Sequence, residues 1–127
     1  MSIDITPHSL SVNKLIRSYG NSGFRIGDQF YNGSVFMLNE SIVPWAATGA
    51  NSCFVESLEA HVKNATDFDI LIVGSGLRST PPNIKLRSML KSHKIVLEWM
   101  NTGAACRTYN VLVLENRPVA AALIAIE

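Results

Sequence analysis

The sequence predicts a layered α/β domain, and three observations carry that prediction. Short apolar runs between Leu15 and Trp45 are broken by Gly20-Asn21-Ser22-Gly23, Gly27-Asp28 and Asn32-Gly33, the punctuation of a β-meander. After Ser52 the apolar spacing becomes helical, placing Phe54, Val55, Leu58 and Val62 on one side. Two apolar runs, Asp69 to Val73 and Ile95 to Trp99, flank a second helical segment and read as buried strands.

In chain order, residues 1–14 mix Ser, Thr, Pro and His with single apolar residues and read as a poorly ordered lead-in, while residues 15–127 read as a single α/β domain. Ile16, Tyr19, Phe24, Ile26, Phe30, Tyr31, Val35, Phe36 and Leu38 supply the meander. Asn32-Gly33 is its sharpest hairpin signal, because both central residues of a type I′ turn need positive φ, which Asn and Gly tolerate best. Asn39-Glu40-Ser41 then turns into Ile42 to Trp45, a short strand closed by Pro44.

A first helix is expected from Ser52 to Lys63, capped by Asn51 or Ser52, with Glu59 one turn before Lys63 on the solvent side. The strand Asp69 to Val73 ends at Gly74-Ser75-Gly76. Pro81-Pro82 opens a second helix near Asn83 to His93, with Ile84, Leu86, Met89 and Leu90 mostly inward and proline suited to its first turn. A third helix runs from about Thr102 to Leu114, and Val119 to Ile126 returns as the last strand. Helical crossovers between apolar strands imply parallel neighbours and right-handed connections.

Composition narrows the function classes. The chain has 127 residues, 47% hydrophobic and 17% charged, against roughly 25% charged in an average soluble domain. A chain so short of charge has either a large core for its size or surface covered by a protein partner or by a second copy in a homodimer. A net charge of +1 with scattered basic residues excludes a general electrostatic grip on nucleic acid. No apolar run approaches the roughly 20 residues that span a bilayer. Cys53 and Cys106 follow neither a metal-ligand nor a secreted disulfide spacing, so a reducing compartment is expected and no cofactor or metal is implied. The opening MSIDITPHSLSVNKL has neither a basic start followed by an apolar block nor an Arg-rich import pattern. It predicts a cytoplasmic protein, or a mitochondrial matrix protein for an already processed form.

The candidate chemistry gathers at one edge of the predicted sheet. The loop from Gly74 to Thr80 leaves a strand and enters a helix, where ligands of open α/β sheets usually bind. Gly74, Gly76 and Arg78 could hold an anion there through backbone N–H groups and a guanidinium, or form only a tight turn in which glycine permits positive φ. Glu98, predicted at the carboxyl end of the next strand, would face the same edge as a proton acceptor or as a latch for Arg107 or Arg78. Arg107, Glu115 and Arg117 share one side of the third helix and its exit, so an internal charge network with Glu98 accounts for all four without a substrate. Thr102, Cys106 and Arg107 complete the candidate set. A helix start and a neighbouring cation would activate Cys106, but none of His8, His61 and His93 has a spacing that makes it the base, and a small core cysteine is the simpler reading.

Met100, Thr102 and Ala105-Cys106-Arg107-Thr108-Tyr109-Asn110, followed by Glu115, Arg117 and Ala121-Ala122-Leu123, resemble a family of small conserved α/β domains of largely unknown function. That family includes the mitochondrial NADH:ubiquinone oxidoreductase (complex I) assembly factor 3 and bacterial homologues. The resemblance extends to Gly74-Ser75-Gly76, Phe24 to Ile26 and Tyr31 to Ser34. It implies a three-layer fold with a central mixed sheet, the N-terminal meander and three main helices, and a non-enzymatic, protein-binding role in assembling respiratory complex subunits. It brings no catalytic residue. The alternative from another class is a small-molecule or anion-binding enzyme with its pocket between Gly74–Thr80 and Glu98–Arg107.

Overall fold

The computed structural model describes residues 15–39, 41–46, 53–63 and 67–127. The lead-in expected for residues 1–14, the cap at Asn51 or Ser52 and the side chains of Phe54 and Val55 lie outside the described residues. Strands β1 (Ile16–Gly20), β2 (Gly23–Ile26) and β3 (Gln29–Asn32) make a three-stranded antiparallel sheet. Strands β4 (Val35–Leu38), β5 (Ser41–Pro44), β6 (Ile70–Gly74), β7 (Val96–Met100) and β8 (Val119–Leu123) make a five-stranded sheet in the order β5-β4-β8-β6-β7. In it β6 runs parallel to β7 and β8, while β4 is antiparallel to β5 and β8. The helices are α1 (Cys53–Val62), α2 (Ile84–Ser92) and α3 (Thr102–Leu114).

Strand alternation divides the core into two faces. Leu71, Val73, Ala120 and Ala122 point to one side, where Leu58 and Val62 of α1 and Leu86 and Leu90 of α2 cover them. Ile72, Ala121 and Leu123 point to the other, beneath Ala105, Cys106 and Tyr109 of α3 and Ile16, Phe24 and Ile26 of the smaller sheet. The molecule is therefore three layers about a central mixed sheet, with the meander helping to form one outer layer.

The meander closes differently from expectation. Asn32-Gly33 is not a hairpin turn: β3 and β4 belong to different sheets, and Gly33, at φ 86°, marks the crossing between them. Its N–H donates to the Ser22 carbonyl at 2.6 Å, which continues the β2–β3 ladder one residue past the Gly23–Asn32 pair. The two positive-φ residues of a type I′ hairpin are instead Asn21 and Ser22, at φ 52° and 63°, between β1 and β2.

Two further expectations are corrected in the second half. Ile84 is 80% exposed, because α2 begins there, while Leu86 and Leu90 are buried in the core and Met89 packs against it. Pro81-Pro82 precede the cap residue Asn83, whose Oδ1 accepts from the Leu86 N–H at 3.0 Å, and so do not enter the first turn. The strand expected to be buried at Ile95 to Trp99 is the sheet edge β7, with Val96 56% exposed. A short apolar run cannot by itself separate an edge from a centre. Among the described residues no helix is long and apolar enough to cross a membrane.

Candidate functional site

The loop after β6 is occupied by the start of α3. Thr102 is fully buried, and its hydroxyl donates to the Ile124 carbonyl at 2.8 Å while accepting from the Gly76 N–H at 3.0 Å. The Thr102 N–H returns a bond to the Gly76 carbonyl at 2.8 Å. A Cβ on Gly74 would lie 2.9 Å from Thr102 Oγ1 and 3.0 Å from its Cα, so glycine is required for this close approach. Gly76 sits at φ 110°, which only glycine adopts readily. Ser75 Oγ donates to the Arg78 carbonyl at 3.0 Å, which holds the turn, while the Arg78 side chain is exposed. Asn101 caps α3 through its Oδ1, which accepts from the Ala104 N–H at 2.8 Å. The backbone donors of Gly76, Thr102 and Ala104 are thus already engaged by protein acceptors.

Glu98 stands elsewhere. Opposite Ile72, it lies one pleat repeat before the Gly74–Met100 pair and faces the α3 side of the sheet. It lines a groove of about 520 Å³ with Asp69, Ile70, Lys94, Val96, Thr108, Leu112 and Arg117. The floor of this groove is apolar and its rim carries charge of both signs.

The internal charge network is not formed. Glu98, Arg107, Glu115 and Arg117 are all exposed, and among the described residues no ion pair joins them. Glu115 is the residue that ends α3, and Arg107 lies on the outer side of the helix near Gly103. Besides Thr102, a polar residue that does bind this helix to its surroundings is Asn110. Its Oδ1 accepts from the Ile16 N–H and its Nδ2 donates to the Ile16 carbonyl, both at 2.9 Å, so one amide clamps β1 to α3.

Cys106 is 3% exposed and inside the core. Burial pushes its thiol up from 9.0 to about 12, against a smaller opposing pull from Arg107. At neutral pH it is a thiol without nucleophilic character. The Gly74, Gly76 and Thr102 cluster, the Glu98 groove and buried Cys106 are three separate places, and Arg78 and Arg107 reach outward from the first and third.

Sequence reasoning missed a second, smaller pocket of about 260 Å³ at the carboxyl end of α3. Its wall includes Tyr109, Asn39, Asp67, Asn116, Arg117 and Val119, and Arg117 also borders the larger groove. These residues come from four separate stretches with no common spacing. Asn39 and Asn116, at φ 55° and 60°, were readable only as turn residues.

A family model described as a protein of unknown function (DUF498/DUF598) matches residues 16–124. The chain belongs to this family. It is similar to a Drosophila melanogaster protein named NADH dehydrogenase (ubiquinone) 1 alpha subcomplex assembly factor 3, 32% identical over 113 residues, which are 87% of this chain and 58% of that protein. The Danio rerio protein of the same name is 31% identical over 123 residues, 97% of this chain and 71% of the relative. The chain thus spans under two thirds of the fly relative's length. Its fold is similar to the NMR structure of a Rhodopseudomonas palustris protein, with a TM-score of 0.77 and 35% identity over 98% of this chain and 90% of that one.

Proposed function

We propose that this chain is a non-enzymatic docking domain that assists assembly of a respiratory NADH dehydrogenase by holding subunits of that enzyme. The observation that carries the reading is the groove beside β7. An edge strand with an exposed Val96, an apolar floor from Ile70 and Leu112 and a rim of Asp69, Lys94, Glu98 and Arg117 offers what a transient protein interface uses. The names of the similar fly and fish proteins support NADH dehydrogenase subunits as the partner. Cytoplasmic placement, or the mitochondrial matrix for a processed form, accompanies this reading.

Copurification tests it. Tagged chain should bring down subunits of the NADH dehydrogenase identified by mass spectrometry. Val96→Asp, which puts a charge on an exposed groove residue, should reduce their recovery about tenfold or more. Ile84→Asp, on the exposed side of α2, should leave recovery unchanged. Equal recovery with both variants, or none of these subunits with the parent chain, would contradict the proposal.

The rival reading, an enzyme with a pocket spanning Gly74–Thr80 and Glu98–Arg107, gains no support from the geometry. In that loop the Gly76 N–H is taken by the Thr102 hydroxyl and the Ser75 N–H by the Met100 carbonyl, and Glu98 opens onto another surface.

A further inference from the structure

The smaller pocket contains an unused polar group in an unusual position. Tyr109 is only 1% exposed, yet among the described residues its hydroxyl makes no hydrogen bond. Buried hydroxyls nearly always have a partner. Tyr109 lines the smaller pocket, and no polar side-chain atom among the described residues is both sealed from solvent and unpartnered, which agrees with a hydroxyl reached through that pocket. Around the same opening, the side chains of Arg117, Asn39 and Asn116 also make no hydrogen bond or ion pair among the described residues. Asp67, on the rim, already has a partner of its own.

We propose that this pocket binds a single carboxylate group, with Tyr109 Oη, the Arg117 guanidinium and the Asn39 and Asn116 amides as donors. The chemistry selects the ligand. A guanidinium presents paired N–H donors that match the two oxygens of a carboxylate. Burial keeps the phenol protonated, with its pKa raised to about 12, so at neutral pH Tyr109 donates. Arg117 is the one cation lining the pocket and the acid Asp67 stands on its rim, so two charges concentrated on one group, as in phosphate, are disfavoured relative to a single carboxylate. A volume of about 260 Å³ suits a short dicarboxylic acid or one acidic group of a protein, and is small for a nucleotide. The carboxylate source is either a free small acid or a chain terminus. The inference stands apart from the proposed docking role, since it concerns a different opening and needs no NADH dehydrogenase subunit.

The test titrates the isotope-labelled chain, followed by NMR, with glutarate, with an acetylated tetrapeptide ending in a free carboxylate, with the same peptide amidated, and with inorganic phosphate. Saturable shifts are expected at the amides of Val113, Asn116, Arg117 and Val119 with glutarate or the free-carboxylate peptide, and whichever binds more tightly identifies the source. Tyr109→Phe and Arg117→Gln should each weaken binding about tenfold or more, the loss of one bond to a charged group. Because the deleted hydroxyl has no partner among the described residues, Tyr109→Phe should unfold at the same or a higher temperature, which separates lost binding from lost folding. Absence of saturable shifts with both carboxylates, tighter binding of phosphate or of the amidated peptide, or unchanged affinity in Tyr109→Phe would overturn the assignment.

Discussion

Thr102 shows how much one side chain settles. Its hydroxyl satisfies Gly76 and Ile124 at once, joining the loop after β6 to the end of β8 in a place without solvent. Thr102→Val keeps the shape but strands a buried donor and a buried acceptor, and should destabilise the fold by about 2–3 kcal/mol in chemical denaturation. Thr102→Ser should lose much less. Cys106 and Tyr109 make the opposite kind of statement, that burial alone holds a proton. Both are raised to about 12, from 9.0 and 10.0 respectively, so above those ordinary values the unfolded chain gives up protons that the folded chain keeps. Stability from these groups is whole below pH 9 and declines as pH climbs toward about 12, by at most about 1.4 kcal/mol per pH unit for each group. Denaturation midpoints measured from pH 8 to 11 should fall along that slope, and Cys106→Ala should remove the earlier part of it. At this scale the sequence was only partly legible. Thr102 and Cys106 could be singled out, but their partners lie 22 or more residues away in the chain or in packed layers that periodicity does not reveal.

Elements were easier to read where a single local rule governs them. The limits of α3 and the strand–loop–helix order around Gly74 follow from apolar spacing and from glycine, because both are set within a few residues. The expectation failed where the rule is nonlocal. Asn32-Gly33 has the composition of a hairpin turn, but pairing also needs β3 and β4 in one sheet, and they part company there. The run from Ile95 to Trp99 is apolar enough for a central strand, yet β7 has a neighbour on one side only. Likewise, the charges spaced along α3 suggested internal pairing, whereas their places on its outer side and at its end leave them to solvent. Attachment between elements rests instead on Asn110. Asn110→Ala removes both bonds to Ile16 and should cost about 1–2 kcal/mol. Hydrogen exchange should then show Ile16 and its strand opening faster, with the amides of β6 little changed.

For the whole molecule, low charge content was the most useful global sign, and it pointed to covered surface without saying where. Exposed apolar residues stand at Val96 on the edge strand and at Val111 and Leu114 on α3, and a groove lies between charged rims. Family membership, and the names carried by relatives, could be anticipated from the motif between Met100 and Leu123, because that motif encloses residues such as Thr102 and Asn110 that fix one layer to the next. The groove proposed for docking could not, since its lining is assembled from β6, β7, α3 and three connecting loops. The most direct test of the docking account is hydrogen exchange of the chain bound to purified NADH dehydrogenase subunits. The account predicts slowed exchange in β7 and the last two turns of α3, with no new protection in the loop from Gly74 to Thr80. Protection confined to that loop, with β7 and α3 exchanging as in the free chain, would contradict it.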